Sequence, residues 1–517
     1  VQGDNLGAPF NTLSCRCVAG SPELCYNRGD CSAWSAAPTS PPGSVPRQAR
    51  GAWALPRAGE NQRAMGLLNK AYGTVVTARN LIGQRRIPYL PEERIRELRD
   101  RRVRQIVHYA ARSVPYYQDL LRSEGLEPAQ IRTAEDLERL PLVHKRQVRS
   151  QPERFISTSR WGRTAVPFLT SGTTGEPLDI YHDRYSLLVN SAFNQRFTQV
   201  LRHFLGRQGG FKSLTIHHPD DSLTQMQKFL SENRFMPLRR QQTAVDVSAP
   251  LDAVIAAINR ERPALLSAYG SYLEALFKGV AARGINMHVP GVVYFGGDTM
   301  SDGGRRLIEE QFGAVVLSTY QAIEAFKIGF FCEERSGFHL HEDLVHVTIV
   351  DAAGRPVPAG EKGEVVISNL FNRGTVLLNY RLGDLAALSD EPCPCGRTLR
   401  LLTGLEGRVL DVIWMPDGSF VHPVEIWKVI SHSLDEGGSG LLQYQLIQHE
   451  LALFELRLAM VDRRAFDRMG DELVNSLRRL LGQSSVIEPV YYEERLPTDD
   501  RGKLRSVTSR VEPPHLS

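Results

Sequence analysis

This chain of 517 residues lacks several features that would point to a membrane or nucleic-acid protein. No apolar run approaches the roughly 20 residues that a membrane-spanning helix needs. The first thirty residues contain no continuous apolar segment behind a basic start, as a signal peptide would. The net charge is only +4, which predicts no strongly basic surface. We therefore expect a cytoplasmic protein that binds neither membranes nor nucleic acid.

Cysteine is also scarce, with seven residues in the chain. In a cytoplasmic protein, cysteines are expected as thiols or metal ligands rather than as disulfides. Four of them, Cys15, Cys17, Cys25 and Cys31, lie close to the start with no histidine nearby. We interpret these four as incidental, and a small zinc site is the alternative. Lysine is scarce as well, and arginine supplies most of the positive charge.

The composition predicts three regions along the chain. Residues 1–64 are rich in proline, alanine, glycine and serine, a composition that cannot bury enough apolar surface to fold. The first methionine is Met65, so we expect this region to be a disordered tail or the product of an upstream start. Residues 65–517 are too many for a domain with one hydrophobic core. We expect an N-terminal domain over residues 65–406 and a C-terminal lid domain over residues 407–517.

Apolar periodicity predicts an α/β fold. Short apolar runs alternate with helical segments between residues 165 and 370, which is typical of a sheet flanked by helices. Strands are predicted at 213–216, 264–268, 291–295, 314–317, 347–350, 363–367, 376–379, 442–448 and 454–461, and helices at 93–113, 185–205, 251–259, 271–283, 302–312 and 464–481. The predicted architecture is a large N-terminal domain of several subdomains, with β-sheets flanked by helices, and a small mobile α+β C-terminal domain.

One segment predicts an anion-binding turn. The apolar run 165–169 leads into Thr170-Ser-Gly-Thr-Thr-Gly-Glu-Pro177. Gly172 and Gly175 let the backbone bend sharply, and successive N–H groups can then surround an anion. The hydroxyls of this segment add further donors. It lacks the lysine of a Walker A loop. Taken alone, a run of this kind is more often a solvated Ser/Thr/Gly loop.

Five later segments give this loop a context. They are Tyr294-Phe-Gly-Gly-Asp298, Ser318-Thr-Tyr-Gln-Ala-Ile-Glu324, Tyr380-Arg-Leu-Gly-Asp384, Gly407-Arg-Val-Leu-Asp411 and Arg501-Gly-Lys503. In this order, over about residues 88–508, the chain resembles the adenylate-forming (ANL) superfamily, and within it phenylacetate–CoA ligase and the CapK-type proteins.

The resemblance implies a two-step reaction. A small carboxylic acid, aromatic in this branch, attacks ATP to give an acyl-adenylate, and the thiol of coenzyme A (CoA) then displaces AMP. The alternatives are transfer to an amine, another nitrogen nucleophile or a carrier protein, and a non-catalytic scaffold. A homodimer is left open.

The resemblance also implies residue roles. Thr170 and its loop would hold the β- and γ-phosphates, Glu324 would ligate Mg²⁺, and Lys503 would bridge the attacking carboxylate and the α-phosphate. The nucleotide-binding residues implied are Ser171, Gly172, Thr173, Thr174, Gly175, Gly297, Asp298, Tyr320, Asp384 and Arg408.

Within this set, Tyr320 would stack on adenine and Asp384 would accept hydrogen bonds from the ribose hydroxyls. Two positions depart from the family pattern. Gln321 stands where glycine is usual. The usual domain pivot is occupied by Leu410, with Asp411 next to it.

A second set of residues predicts a structural zinc site. Six residues separate Cys332 from His339, and Cys393-x-Cys395 follows. Three thiolates and one imidazole make a tetrahedral zinc set. His341 competes with His339 as the imidazole donor, and the alternative is three buried thiols beside an exposed histidine.

The acyl pocket is the least defined part of the site. Phe168, Tyr269, Tyr294 and Phe295 are candidates, although each is also an ordinary core aromatic residue. His217-His218 is a candidate for a wall of this pocket or of the CoA tunnel.

Overall fold

The computed structural model describes residues 60–170, 178–206, 210–235, 241–408, 413–417, 419–421, 423, 425–430, 440–499 and 502–511. Its α-helices are α1 Glu60–Leu81, α2 Glu92–Ser113, α3 Pro115–Ser123, α4 Lys145–Ser150, α5 Pro152–Phe155, α6 Arg160–Arg163, α7 Arg184–Leu205, α8 Ser222–Asn233, α9 Leu251–Glu261, α10 Gly270–Arg283, α11 Asp302–Arg306 and α12 Arg463–Leu481. A π-helical turn, Leu307–Gln311, continues α11.

The strands are β1 Val166–Leu169, β2 Asp179–His182, β3 Ser213–His217, β4 Gln242–Asp246, β5 Leu265–Ala268, β6 Val292–Phe295, β7 Val315–Tyr320, β8 Gly329–Phe331, β9 Phe338–Leu340, β10 Val345–Val350, β11 Lys362–Asn369, β12 Tyr380–Leu388, β13 Leu401–Arg408, β14 Ile413–Trp414, β15 Phe420–Val421, β16 Leu441–Glu450, β17 Leu453–Met460, β18 Val486–Tyr492 and β19 Val507–Ser509.

One large sheet organises the described part of the chain before residue 408. Its strands run in the order β10-β11-β12-β13-β9-β8-β7-β6-β5-β3-β4. The five strands from β7 to β4 are parallel, and the others pair antiparallel. The inner parallel strands β5, β6 and β7 are largely apolar and buried, as is typical of parallel strands that helices cover on both faces. Their carboxyl ends meet at one edge, where open α/β sheets bind ligands.

Helices α1, α7 and α8 pack together beside this sheet. The contact between α1 and α8 requires a glycine, because a Cβ at Gly73 would lie 1.9 Å from the carbonyl oxygen of Asn233. Strands β1 and β2 form a separate antiparallel pair, in which Leu169 lies opposite Asp179. This pair holds the two ends of the segment 170–178 next to each other.

The C-terminal part of the chain forms a four-stranded sheet in the order β18-β17-β16-β19. Helix α12 packs its apolar face against this sheet and completes a separate core. The loop after β18 contacts the large domain, since Arg495 donates hydrogen bonds of 2.8 and 2.7 Å to the carbonyls of Val247 and Ser248. Gly502, in the left-handed region at φ +77°, lies against the side chain of Val247.

The predicted fold class is confirmed, but the predicted strand at 376–379 is wrong. Val376, Leu377 and Leu378 are buried, yet they form no ladder with a strand: the carbonyl of Leu377 accepts from the N–H of Asn369 at the end of β11, and the N–H of Val376 donates to the carbonyl of Phe155. The N–H of Leu378, for example, donates to the hydroxyl of Tyr117 at 2.8 Å. Strand β12 begins only at Tyr380. Burial of an apolar run is therefore not enough to make it a strand.

The predicted domain boundaries stay predictions. Strand β13 continues through Arg408, so a boundary at 407 would fall in its last two residues. The predicted tail and its four cysteines lie outside the described residues, as do Leu410 and Asp411. Among the helices that the structure describes, none combines the length and the apolar character needed to span a bilayer.

Candidate active site

Several of the described candidate residues lie at the carboxyl ends of neighbouring parallel strands. Tyr269 follows β5, Gly296–Asp298 follow β6, and Tyr320–Glu324 end and follow β7. Because these strands are adjacent in the sheet, the three loops share one edge. Motifs that are far apart in the sequence therefore lie close together in the fold.

Thr170 closes the predicted phosphate loop. Its N–H donates to the carbonyl of Leu178 at 2.9 Å, and its hydroxyl accepts from the N–H of Leu178 at 3.0 Å. The hydroxyl is thus used to hold the ends of the loop together. Ser171, Gly172, Thr173, Thr174 and Gly175 lie outside the described residues.

Asp298 is bound to the start of helix α10. Its carboxylate accepts hydrogen bonds from the N–H of Gly270 and, at 2.5 Å, from the hydroxyl of Ser271. Burial raises the pKa of Asp298 to about 6, although Lys503 counteracts this shift. The carboxylate therefore holds the β6 loop against the positive end of α10.

Lys503 reaches this loop from the C-terminal domain. Its backbone N–H donates to Oδ1 of Asp499 at 2.9 Å, and its ammonium lies 5.7 Å from the ring centroid of Tyr269. Gly297 has φ +87°, and a Cβ there would lie 3.6 Å from Cε of Lys503 and 3.1 Å from the Tyr269 ring. The glycine thus leaves room for the lysine beside the loop.

Tyr320 and Asp384 meet across the sheet. The hydroxyl of Tyr320 donates to Oδ2 of Asp384 at 2.6 Å. Asp384 lies at a β-bulge of β12, directly after Gly383, which has φ +87°. In the pairing of β12 with β13, Asp384 lies opposite Arg408, whose side chain is outside the described residues. The predicted adenine and ribose residues therefore lie side by side.

Glu324 is buried, and one of its two carboxylate oxygens accepts a hydrogen bond from a described residue. Its Oε1 accepts from the hydroxyl of Tyr380 at 3.3 Å, and its carbonyl accepts from the amide of Asn369 at 3.0 Å. No described residue donates a hydrogen bond to Oε2. One carboxylate oxygen remains for an oxygen-coordinated cation such as Mg²⁺, which binds through one or two carboxylates plus phosphates and waters.

A small cavity of about 30 Å³ opens beside these loops. Its lining residues are Phe193, Asn194, Phe197, Tyr294, Thr319, Gln321, Lys327, Gly329, Phe330 and His341. The amide of Gln321 donates to the hydroxyls of Thr319 at 2.6 Å and Tyr294 at 3.2 Å. The unusual glutamine therefore contributes to the wall of this cavity.

Of the predicted acyl-pocket residues, only Tyr294 lines the cavity. Phe168 packs in the core against His182 and Phe326, and Tyr269 lies next to Lys503. His217 pairs with Asp221 at 3.2 Å, which raises the pKa of the imidazole. Phe168, Tyr269 and His217 therefore do not line this cavity.

Lys327 is a cavity residue that the sequence motifs did not single out. It stands three residues after Glu324 in the run Ala325-Phe-Lys-Ile-Gly-Phe-Phe331. A lone charge inside an apolar run is a signal that could have found it, because lysine is almost never buried without a partner.

The predicted zinc residues lie together, away from the sheet edge. The ligand atoms of Cys332, His339, Cys393 and Cys395 are all within 4.8 Å of one another. The sulfur atoms of Cys332 and Cys393 are 3.6 Å apart, and Nε2 of His339 is 3.2 Å from the sulfur of Cys395. A zinc tetrahedron with bonds of about 2.3 Å has edges of roughly 3.8 Å.

The surroundings of the cluster also suit a metal. Nδ1 of His339 donates to the carbonyl of Leu399 at 3.0 Å, which turns Nε2 towards the thiols. Hydrogen bonds from the thiol of Cys332 and from the N–H of Arg397 lower the pKa of Cys395, which favours its thiolate. His341 is not in the cluster, because its Nδ1 accepts from Arg196 at 3.1 Å.

Comparisons with known proteins agree with this geometry. No family model matches the chain. A phenylacetate–coenzyme A ligase of Thermus thermophilus is 28% identical over 349 residues, which are 66% of this chain and 76% of that protein. Protein CapK of Staphylococcus aureus is 20% identical over 57% of this chain and 63% of its own length.

Solved structures share the fold. A 2-hydroxyisobutyryl-CoA ligase in the postadenylation state, in complex with 2-HIB-AMP, superimposes with a TM-score of 0.64 at 19% identity, covering 81% of this chain and 90% of that one. The same ligase with 2-HIB-AMP and CoA in the thioesterification state gives a TM-score of 0.53 at 20% identity, covering 81% and 91%.

Proposed function

From its place in the phenylacetate–CoA ligase-like branch of the adenylate-forming superfamily, we propose that this chain activates a small aromatic carboxylic acid with ATP and transfers the acyl group to CoA. A carboxylate oxygen attacks the α-phosphorus, and the bond to the β-phosphate oxygen breaks to release pyrophosphate. The CoA sulfur then attacks the acyl carbon, and the bond to AMP breaks. We place this reaction in the cytoplasm, where ATP and CoA are both available.

The position of Lys503 is the observation that carries this proposal. Its ammonium lies beside Tyr269 and the Gly297 loop, at the same sheet edge as Tyr320 and Glu324. A flexible cation there can stabilise the negative charge that builds up between the carboxylate and the α-phosphate. Because Lys503 comes from the C-terminal domain, movement of that domain would add or remove this charge between the two steps.

The remaining nucleotide contacts follow from the same edge. Tyr320 and Asp384 are adjacent and would bind adenine and ribose, with Arg408 contributing to the ribose or the phosphates. The loop 170–177 would hold the β- and γ-phosphates through its N–H groups and hydroxyls. Its ends are fixed by the two hydrogen bonds between Thr170 and Leu178.

Two metal sites complete the proposal. Glu324 would hold Mg²⁺ through Oε2, where the ion would offset the charge of the phosphates. Cys332, His339, Cys393 and Cys395 would hold a structural zinc ion that ties the loop before β9 to the loop before β13.

A panel of aromatic acids, assayed for AMP formation with and without CoA, tests the function. We expect acid-dependent AMP formation that CoA accelerates, with acyl-CoA as the product. AMP formation without acyl-CoA would reassign the second step to an amine, another nitrogen nucleophile or a carrier protein. A purified, folded protein that forms no AMP with any acid would contradict the proposed ligase and favour the scaffold.

A further inference from the structure

The cavity at the sheet edge contains a cation, Lys327, that no described residue neutralises. Lys327 lines the cavity, and no described residue forms an ion pair or a side-chain hydrogen bond with its Nζ. Burial alone lowers the pKa of Lys327 to about 8, so the ammonium remains largely charged at neutral pH. An unpaired cation in a partly buried site destabilises the folded protein unless it serves a ligand.

The carboxylate of Asp343, behind His341, is already fully engaged. Asp343 receives two hydrogen bonds from Arg196, at 2.8 and 2.9 Å, and lies 3.5 Å from Arg102. Arg196 also donates to His341, which separates this pair from the cavity. Burial and the charge of Arg196 both keep His341 neutral by lowering its pKa. Two arginines, one aspartate and Lys327 therefore leave a net positive charge around the cavity floor.

The cavity's shape limits what can bind there. Asn194 and Gln321 are exposed, whereas Phe193, Phe330 and His341 are buried, so the cavity opens on the side of the nucleotide loops and closes at His341. About 30 Å³ is room for one or two water molecules. That space suits one substituent of a ring better than a whole acyl chain.

The walls of the cavity are aromatic. Phe197 and Tyr294 lie 5.2 Å apart between ring centroids, and Phe330 packs against His341 at 5.1 Å. Since these rings already contact each other, the cavity has no room for a further ring. An aromatic acid whose ring lies outside the opening would keep its reacting carboxylate near the nucleotide loops and direct one distal substituent towards the floor.

We propose that the acid carries a second anionic group, such as a ring carboxylate, and that Lys327 binds this group on the cavity floor. This inference rests on the proposed function, since it assigns the substrate class of the same site. Lys327 acts here as a specificity residue: it does not touch the reacting carboxylate. It would select a dicarboxylate over a neutral acid of the same shape by a charge-assisted hydrogen bond.

The test compares three benzene dicarboxylates (ortho, meta and para) with their monoamides, which have the same shape but lack the second charge. We expect the purified full chain to adenylate the best diacid with at least tenfold higher kcat/KM than its monoamide. Lys327→Met should reduce that ratio to about one, and Lys327→Arg should retain part of it.

Lys212→Met is the matched control. Lys212 is ion-paired with Glu261 at 3.0 Å. It precedes the amino end of β3, whereas the candidate site follows the carboxyl ends of the parallel strands, so its loss should leave the diacid ratio unchanged. A wild-type ratio near one, or an unchanged ratio in Lys327→Met, would overturn the inference while leaving the ligase activity standing.

Calorimetric titration of the diacids separates the two proposals. Diacid binding that Lys327→Met abolishes, without AMP formation from any acid, would uphold the anionic site and refute the ligase. No diacid binding to the wild type, together with activity on neutral acids, would refute the anionic site alone.

Discussion

The hydroxyl of Tyr320 donates a 2.6 Å hydrogen bond to Oδ2 of Asp384 and joins two motifs that are 64 residues apart. One residue ends β7 and the other lies at the bulge of β12, so the bond links the parallel and antiparallel parts of the sheet. A ligand that contacts both residues would therefore depend on how these two parts of the sheet are held together.

Asp384→Asn should weaken ATP binding because the ribose hydroxyls would lose a charged acceptor. A hydrogen bond to a charged group contributes about 1.5–3 kcal/mol, which corresponds to roughly a 10- to 100-fold rise in the KM for ATP. Tyr320→Phe should have a smaller effect, since the carboxylate remains. Steady-state kinetics at saturating acid measure both, with the exposed Tyr89→Phe as control. An unchanged KM in Asp384→Asn would remove Asp384 from the nucleotide site.

Lys503→Ala should strongly slow the first half-reaction and spare the second. Loss of a preorganised charge on a developing oxyanion costs about 10²–10³ in rate. Pyrophosphate release should fall by that factor, while thioester formation from supplied acyl-adenylate should change little. Lys428→Ala is the control, because Lys428 lies in the same domain and is exposed in an ion pair with Glu425. Equal loss in both half-reactions would indicate a structural role for Lys503.

The sequence could single out Lys503, Tyr320 and Asp384 as candidates because each belongs to a short motif of the resemblance, and their roles stay predictions. It could not identify the cavity. Phe193, Lys327 and His341 come from three elements, and only the packing of α7 on the sheet brings them together. The choice between His339 and His341 was also beyond the sequence, because it depends on the register of β9 with β13, where His339 lies opposite Leu401.

The Cys/His cluster should hold one zinc ion per chain. Cys393→Ser should remove most of the zinc, and it should lower thermal stability because metal binding contributes directly to folding. Metal analysis of the purified protein and a melting curve test this prediction. Replacing Cys15, Cys17, Cys25 and Cys31 together by serine is the control, and the zinc content should not change. Zinc lost in that control would locate the metal in the N-terminal region instead.

The pair of Arg196 and Asp343 should dominate the stability of the cavity floor. Their side chains are 0% and 1% exposed. Breaking a buried ion pair by removing one partner costs about 3–5 kcal/mol. Asp343→Asn should therefore lower the free energy of unfolding in urea by about that amount. Asp467→Asn, which breaks the exposed pair with Arg463, should cost less than about 1 kcal/mol.

The pH dependence of the same pair has a definite sign. Burial would raise the pKa of Asp343, but Arg196 and Arg102 outweigh burial and lower it to about 2. A group whose pKa is lowered in the folded state stabilises the protein above its unfolded pKa of about 3.9. This stabilisation should be lost between about pH 4 and pH 2. Asp343→Asn should flatten the stability profile in that window, and an unchanged profile would contradict the assignment.

The preference for a second anionic group should disappear as the pH rises through about 8. The groups that face Lys327 across the cavity are His341 and Tyr294. Burial keeps His341 neutral and raises the pKa of Tyr294, so neither titrates in this range. Lys327 loses its proton near pH 8 and with it the charge that binds the diacid. The ratio of kcat/KM for diacid and monoamide should be constant below about pH 7 and fall by pH 9, because kcat/KM reports the free enzyme.

Titrations of Lys503 or CoA affect both substrates and cancel in the ratio. Lys327→Arg should shift the fall beyond pH 9, since arginine stays protonated. A ratio in the wild type that stays constant to pH 9 would mean that a different group selects the substrate.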